Sequence, residues 1–131
     1  MRTEFETDVR YYETDQMGIV HHSNYIRYFE CGRSDFLKKA GFPMDKVEEA
    51  GIMMPVIAVD CRYRLPAKMG DTLRIVTFVD QMPTAKLTVG SEIYNQDGVL
   101  LCNGSVTLGF IDASTRRPVR CPEFLKRLFE E

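Results

Sequence analysis

Between Tyr12 and Tyr25 the chain reads Tyr-Glu-Thr-Asp-Gln-Met-Gly-Ile-Val-His-His-Ser-Asn-Tyr. The types and spacing in this stretch can do chemistry. Asp15 places a carboxylate in a glycine-containing loop that follows a strand. His21 and His22, both histidines of the chain, stand just before an expected helix start. A helix N-terminus presents unpaired N–H groups and the positive end of a dipole. Such an end can hold an oxyanion developing on a carbonyl oxygen. A carboxylate in the loop before His22 can attack the carbonyl carbon or activate a water. Together these parts suit acyl transfer to water. A structural role competes with that reading, because a loop carboxylate is commonly solvated or forms an Asx turn. Spacing alone leaves both open.

Other chemistries find less support. Side chains at i and i+1 do not share a helix face. No third ligand stands at metal-like spacing from the two histidines, so no metal or other cofactor is expected. The G-x-S-x-G turn of α/β-hydrolases is absent. Cys31 as the nucleophile of a cysteine–histidine hydrolase has no further support. Cysteines 31, 61, 102 and 121 form no C-x-x-C pair. They are expected as reduced small hydrophobes.

The elements that position these groups are set by periodicity. Residues 4–12 alternate as a strand, with Phe5, Thr7, Val9 and Tyr11 on one face. Ser23 and Asn24 are candidate helix caps. Tyr25, Tyr28, Phe29, Gly32, Phe36 and Ala40 then form one apolar helical stripe, which Gly41 and Pro43 end. A glycine inside a helix costs about 1 kcal/mol relative to alanine, so Gly32 implies close approach of a strand. A short helix is expected over residues 44–50. Four strands follow. Their expected inward faces are Ile57, Val59, Cys61, Tyr63 and Leu65; Leu73, Ile75 and Val79; Ala85, Leu87, Val89 and Ile93; and Leu100, Cys102, Val106, Leu108 and Phe110. Turns are expected at 66–71, 82–84 and 95–98, and a short helix over 122–131. Tight turns imply an antiparallel sheet, and the helix stripe must bury against it. The expected fold class is α+β, a five-stranded antiparallel sheet curled around one long helix, in a single domain over residues 1–131. Two sheet edges and a partly apolar outer face favour oligomers.

Composition narrows the partners. A chain of 131 residues with 17 basic and 19 acidic side chains, net charge −2, lacks the positive field of a nucleic-acid binder. The longest apolar stretch, Gly51 to Val59, is about half of what crosses a bilayer. The first six residues lack the apolar centre of a signal peptide. No membrane partner and a cytoplasmic location are therefore expected.

Tyr12 through Glu30, with the pattern Y-E-T-D-x-M-G-x-V-H-H-x-N-Y-x-x-Y-F-E, resembles the 4-hydroxybenzoyl-CoA thioesterase-like family of hotdog-fold acyl-CoA thioesterases. Cys61 to Leu73 resembles that family's strand-turn-strand signature. The resemblance implies a sheet wrapped around the Asn24–Ala40 helix, and dimers joined through a continuous sheet, often paired into tetramers. It places Asp15 at the catalytic carboxylate, and His22 where a backbone N–H polarises the thioester carbonyl. The His22 imidazole is expected to contact substrate or orient Asp15, and His21 to pack or hydrogen-bond locally. Gly18 either brings the backbone close to the acyl group or serves as a turn glycine. Tyr25 is expected to line the acyl pocket, and Arg62, Arg64 and Lys86 to meet CoA phosphates. Glu30 is an alternative acidic catalyst on the helix, with a structural role competing.

The implied reaction needs no cofactor. Sulfur donates poorly into a thioester carbonyl, and the departing thiol, with a pKa near about 8.5, needs little acid help. The expected activity is hydrolysis of a small acyl-CoA, with acyl-carrier protein as another thioester donor. Two alternatives stand beside it: a hydratase or dehydratase of acyl thioesters on the same fold, and a non-catalytic acyl-CoA-binding module.

Overall fold

The computed structural model describes residues 1–130. Glu131, the last residue of the expected domain and C-terminal helix, lies outside them. In chain order the elements are β1 (Arg2–Asp8), α1 (Asn24–Lys39), α2 (Met44–Glu49), β2 (Ile52–Met53), β3 (Val56–Tyr63), β4 (Thr72–Phe78), β5 (Lys86–Tyr94), β6 (Leu100–Gly109), β7 (Ile111–Asp112) and α3 (Glu123–Lys126). Single 3-10 turns cover Tyr11–Glu13 and Arg127–Phe129. The five-stranded sheet has the order β1-β4-β5-β6-β3, and each neighbouring pair is antiparallel. β2 and β7 form a separate two-residue pair.

The helix lies on β1, β4 and β5. Its stripe is buried as the spacing requires: Tyr25, Tyr28, Phe29, Gly32 and Phe36, joined by Leu37. A Cβ on Gly32 would stand 2.5 Å from Thr77 Oγ1 and 2.7 Å from Ile75 Cγ2. Only a glycine lets α1 settle this deeply on β4. The opposing layer is Leu73, Ile75, Leu87, Val89, Ile93, Val106 and Leu108. Of the thiols, Cys102 and Cys121 are buried, Cys61 is half-buried and Cys31 is exposed on α1. Cys31 therefore does not serve as a small core hydrophobe.

Three expectations need correction. The first strand ends at Asp8, and the chain turns through Tyr11–Glu13 instead of extending to residue 12. Leu101 is buried beside Cys102, because a register shift opposite Ile93–Tyr94 breaks the strict alternation of β6. The inward face expected for β3 is largely bare. Ile57, Val59, Tyr63 and Leu65 are 52%, 42%, 52% and 53% exposed. β3 is an edge strand and α1 leans on the other half of the sheet, so no described element covers this face.

The two edges differ in chemistry. On β1, Glu4 pairs with Arg74, Arg2 pairs with Glu92, and Asp8 accepts from the Thr72 hydroxyl. Charges of this kind discourage edge-to-edge pairing. The β3 edge presents Val56, Ile57 and Val59 instead.

Candidate active site

The loop carrying Asp15 is a miniature hairpin. Thr14 bridges Val20, the Asp15 N–H donates to the Ile19 carbonyl at 2.8 Å, and the Gly18 N–H donates back to the Asp15 carbonyl at 3.1 Å. The turn needs a left-handed residue, and Gly18 supplies it at φ +77°. A Cβ on Gly18 would meet nothing within 4 Å, so the backbone conformation, and not a crowded approach, demands glycine here. The hairpin is pinned to the β3–β4 turn by Val20 N–H to Ala67 O at 2.8 Å and Met69 N–H to Gly18 O at 3.1 Å.

Asp15 itself is half-buried. Its Oδ1 accepts the Met17 N–H at 2.7 Å, the Asx geometry that the structural alternative anticipated. Its Oδ2 has no hydrogen-bond partner among the described residues. One oxygen orients the carboxylate and the other is free to react.

The start of α1 differs from expectation. Ser23 is already in helical conformation and its side chain makes no cap bond. The Ser23 N–H goes to Nδ1 of His21 at 3.2 Å, and Ser23 Oγ lies 2.8 Å from the same nitrogen. His21 therefore bonds locally, as expected. Asn24 is buried and turns back, its Nδ2 donating to the Glu13 carbonyl at 2.9 Å. The N–H groups of Asn24 and Tyr25 go to the carbonyls of His21 and His22. The N–H of His22 has no acceptor among the described residues. It is the open donor at the positive end of a 16-residue helix.

Asp15, His22, Tyr25 and Arg64 line one surface pocket of about 410 Å³, together with Tyr63 and Leu65. Tyr25 forms its floor. The Tyr25 hydroxyl accepts the Ala67 N–H at 3.0 Å, and burial raises its pKa above the ordinary phenol value against the opposing pull of that N–H. Tyr63 forms a wall, edge-on to Tyr25 with centroids 5.3 Å apart and edge-on to His22 at 6.4 Å. Its hydroxyl donates to the His22 carbonyl at 3.3 Å. Neither the inward face expected for β3 nor the motif identified Tyr63 as a site residue. An aromatic at the exposed end of an edge strand was the available signal. The His22 ring lies tilted against His21, centroids 4.2 Å apart, and no hydrogen bond joins it to Asp15 among the described residues. The expected orienting role of that imidazole has no contact behind it.

The other expected site residues separate. Arg64 reaches the pocket, its Nε bonded to Asn103 at 2.9 Å. Arg62 bonds Asp60 at 3.2 Å and does not line it. Lys86 pairs with Gly109, whereas Tyr63 pairs with Cys102. Cys102 and Gly109 are seven steps apart along β6, about 24 Å at the rise of a strand. Lys86 is thus at the opposite end of the sheet, too far to join a phosphate site at this pocket of the same chain. Glu30 lines a different cavity. No group of three or more His, Cys, Asp or Glu side chains among the described residues is placed to hold a metal. No helix is long and apolar enough to cross a membrane.

The model of the Thioesterase-like superfamily matches residues 9–129. YneP of Bacillus subtilis, provisionally named an acyl-CoA thioesterase, is 34% identical over 115 residues, covering 88% of this chain and 83% of YneP. The acyl-CoA thioester hydrolase YbgC of Escherichia coli is 28% identical over 123 residues, covering 94% of this chain and 92% of YbgC. Among solved structures, the DHNA-CoA thioesterase from Staphylococcus aureus superposes with a TM-score of 0.85 at 32% identity, covering 91% of this chain and 80% of that one. The hotdog arrangement of sheet and helix and a family match over nearly the whole length agree, and the chain belongs to the thioesterase-like superfamily.

Proposed function

We propose that this protein hydrolyses small acyl-CoA thioesters, with Asp15 as the catalytic carboxylate and the His22 N–H as the donor to the thioester carbonyl. One observation carries the proposal: the residue with a half-free carboxylate and the residue with an unpaired helix-terminal N–H line the same pocket. The Asp15 Oδ2 attacks the carbonyl carbon, or it takes a proton from a water that attacks. The carbonyl oxygen gains charge beside the His22 N–H. The C–S bond breaks and CoA leaves as a thiol. Where Asp15 has attacked, water then cleaves the acyl–aspartyl anhydride and returns the carboxylate; by either course water supplies the new oxygen of the free acid and the proton of the thiol. The names of the relatives support acyl-CoA as the substrate class. Tyr25 and Tyr63 would flank the acyl group, and Arg64 would meet a phosphate.

The hydratase alternative needs a paired acid and base, and His22 makes no bond to Asp15. A carrier-protein thioester presents the same pantetheine arm and stays within the proposed chemistry. We place the functional unit as a homodimer, or a tetramer of two dimers, joined through the bare β3 edge. Free thiols accord with a reducing compartment such as the cytoplasm.

The test is thiol release from aromatic, short, branched and long acyl-CoAs, and from acyl-carrier protein, by the wild type and Asp15→Asn. The wild type should turn over at least one class, and Asp15→Asn should lose about 10²-fold or more in kcat while staying folded. A fully active Asp15→Asn would overturn the assignment of Asp15. Tight acyl-CoA binding by the wild type with no thiol release would favour the non-catalytic module.

A further inference from the structure

Among the described residues, Glu13 is the one buried carboxylate that the proposed chemistry does not use. Its side chain is 9% exposed, and burying a carboxylate is unfavourable unless it is well bonded. Glu13 Oε1 accepts the Arg10 N–H at 2.8 Å and the Tyr28 hydroxyl at 3.0 Å. Its Oε2 lies 3.7 Å from the Arg10 guanidinium. The carbonyl of the same residue accepts the His21 N–H at 2.9 Å and Asn24 Nδ2 at 2.9 Å. One residue thus joins the end of the first strand region, the second turn of α1, and the start of α1. Asp15 lies two residues further along the chain.

We propose that Glu13 is a positioning residue for the reaction, a clamp that fixes the separation between the Asp15 carboxylate and the His22 N–H. The inference rests on the hydrolase reading above and goes beyond it, since Glu13 touches neither substrate nor reacting atoms. The side-chain bonds hold residue 13 to Tyr28, on the helix body. The carbonyl bonds hold His21 and Asn24, on either side of His22. Because both sets belong to one residue, the loop hairpin and the helix terminus cannot drift apart while Glu13 stays seated. The length of the side chain matters. An aspartate is one methylene shorter and would not reach Tyr28 and the Arg10 N–H together. A glutamine keeps the acceptor oxygen for both donors but turns its amide donor toward the Arg10 cation.

The test compares Glu13→Ala, Glu13→Gln and Tyr28→Phe by steady-state kinetics normalised to folded protein, and by amide exchange at residues 14–22. Glu13→Ala should lower kcat ten- to a hundredfold with KM within about twofold, the pattern of misplaced reacting groups and not of lost binding. Tyr28→Phe should lose less, and Glu13→Gln should recover most of kcat. In Glu13→Ala the Met17 and His21 amides should exchange faster while β5 and β6 stay protected. A Glu13→Ala enzyme with wild-type kcat per folded molecule would overturn the proposal. So would unchanged exchange at His21. If the wild type releases no thiol from any acyl-CoA, the hydrolase reading fails, and the exchange measurement still decides whether Glu13 clamps the loop to the helix.

Discussion

Two cavities flank α1, and each holds one acidic residue. The pocket at the helix start, about 410 Å³, has Asp15. The cavity beside the helix body, about 260 Å³, has Glu30 with Arg33, Leu37, Met54 and Val89. The second is the smaller and the more enclosed, and by shape alone it would pass for the site. What it lacks is a donor. Along the body of a helix each N–H is already bonded to a carbonyl one turn back, so Glu30 has no backbone group beside it to stabilise an oxyanion. Its charged neighbour is Arg33, whose guanidinium is pulled below its usual pKa by burial while Glu30 opposes that shift. At the helix start the N–H of His22 is open, and a backbone amide fixes one oxygen of Asp15. A carboxylate beside a cavity becomes a catalytic candidate only where the backbone offers the complementary charge.

Neutralising each carboxylate without changing its shape tells the two cavities apart. Asp15→Asn should cost about 10³-fold in kcat, about 4 kcal/mol of transition-state stabilisation. Glu30→Gln should stay within about threefold of wild type in kcat and KM. Parallel thiol-release assays at saturating substrate read both. Equal losses would mean that both cavities take part in the reaction.

Both cavities border the bare edge of β3, the Asp15 pocket through Tyr63 and the Glu30 cavity through Val56 at the apolar start of the strand. An uncovered edge with exposed Val56, Ile57 and Val59 offers both hydrogen-bonding groups and apolar area to a second copy. Val59→Asp, at a residue 42% exposed in one chain, should shift the protein to monomer in size-exclusion chromatography. Turnover should fall by about tenfold if the second copy completes the acyl pocket. An unchanged elution volume would assign the β3 edge no role in association, and the Glu30 cavity would then open to solvent.

How much of this was legible in the sequence follows from how local each signal is. The α1 stripe repeats every three to four residues, and the structure buries its main positions, Tyr25 to Phe36, as spaced. The turns at 66–71 and 95–98 join β3 to β4 and β5 to β6 as read. Asp15 and His22 were legible because loop, carboxylate and helix start lie within one short stretch. The exposure of β3 was not, since its apolar alternation is the same whether α1 or another chain covers it. Strict alternation missed Leu101, because a bulge depends on the partner strand. The β2–β7 pair is two residues long, too short for any period. Ser23 looked like a cap, but it is already helical and its own N–H donates to Nδ1 of His21. Glu13 stood in the motif without a role, since its burial depends on Tyr28, a residue 15 positions away that only the fold brings close. Arg62 and Lys86 were chosen as charges on expected outward strand faces, and a face does not say which end of a sheet a residue occupies.

The smallest expected effect separates the two regions by pH. Tyr25 and Tyr28 support the Asp15 end, and the Glu30 cavity has no phenol in its lining. Burial is the largest cause raising both phenols above 10.0, and the Glu13 carboxylate adds to it at Tyr28. Tyr28 also faces Tyr25 and Arg10, while Tyr25 faces Cys61, Cys102 and Asp71. In the unfolded chain these phenols ionise near 10.0. The folded state holds their protons more tightly, so their contribution to stability is complete below about pH 10 and falls as pH rises beyond it. Raising pH from 9 to 11 should therefore loosen the Asp15 end first. Burial also raises Cys102 and Tyr94, which sit at the Asp15 end of β6 and β5. After correction for the intrinsic pH dependence of exchange, the His21 amide should lose protection ahead of the Leu87, Val89 and Leu108 amides at the Glu30 cavity. Tyr28→Phe removes one of the two phenols and should flatten that difference, at the cost of the hydroxyl bond to Glu13. Simultaneous loss of protection at both ends would show that the two regions share one cooperative unit, and that only their chemistry tells them apart.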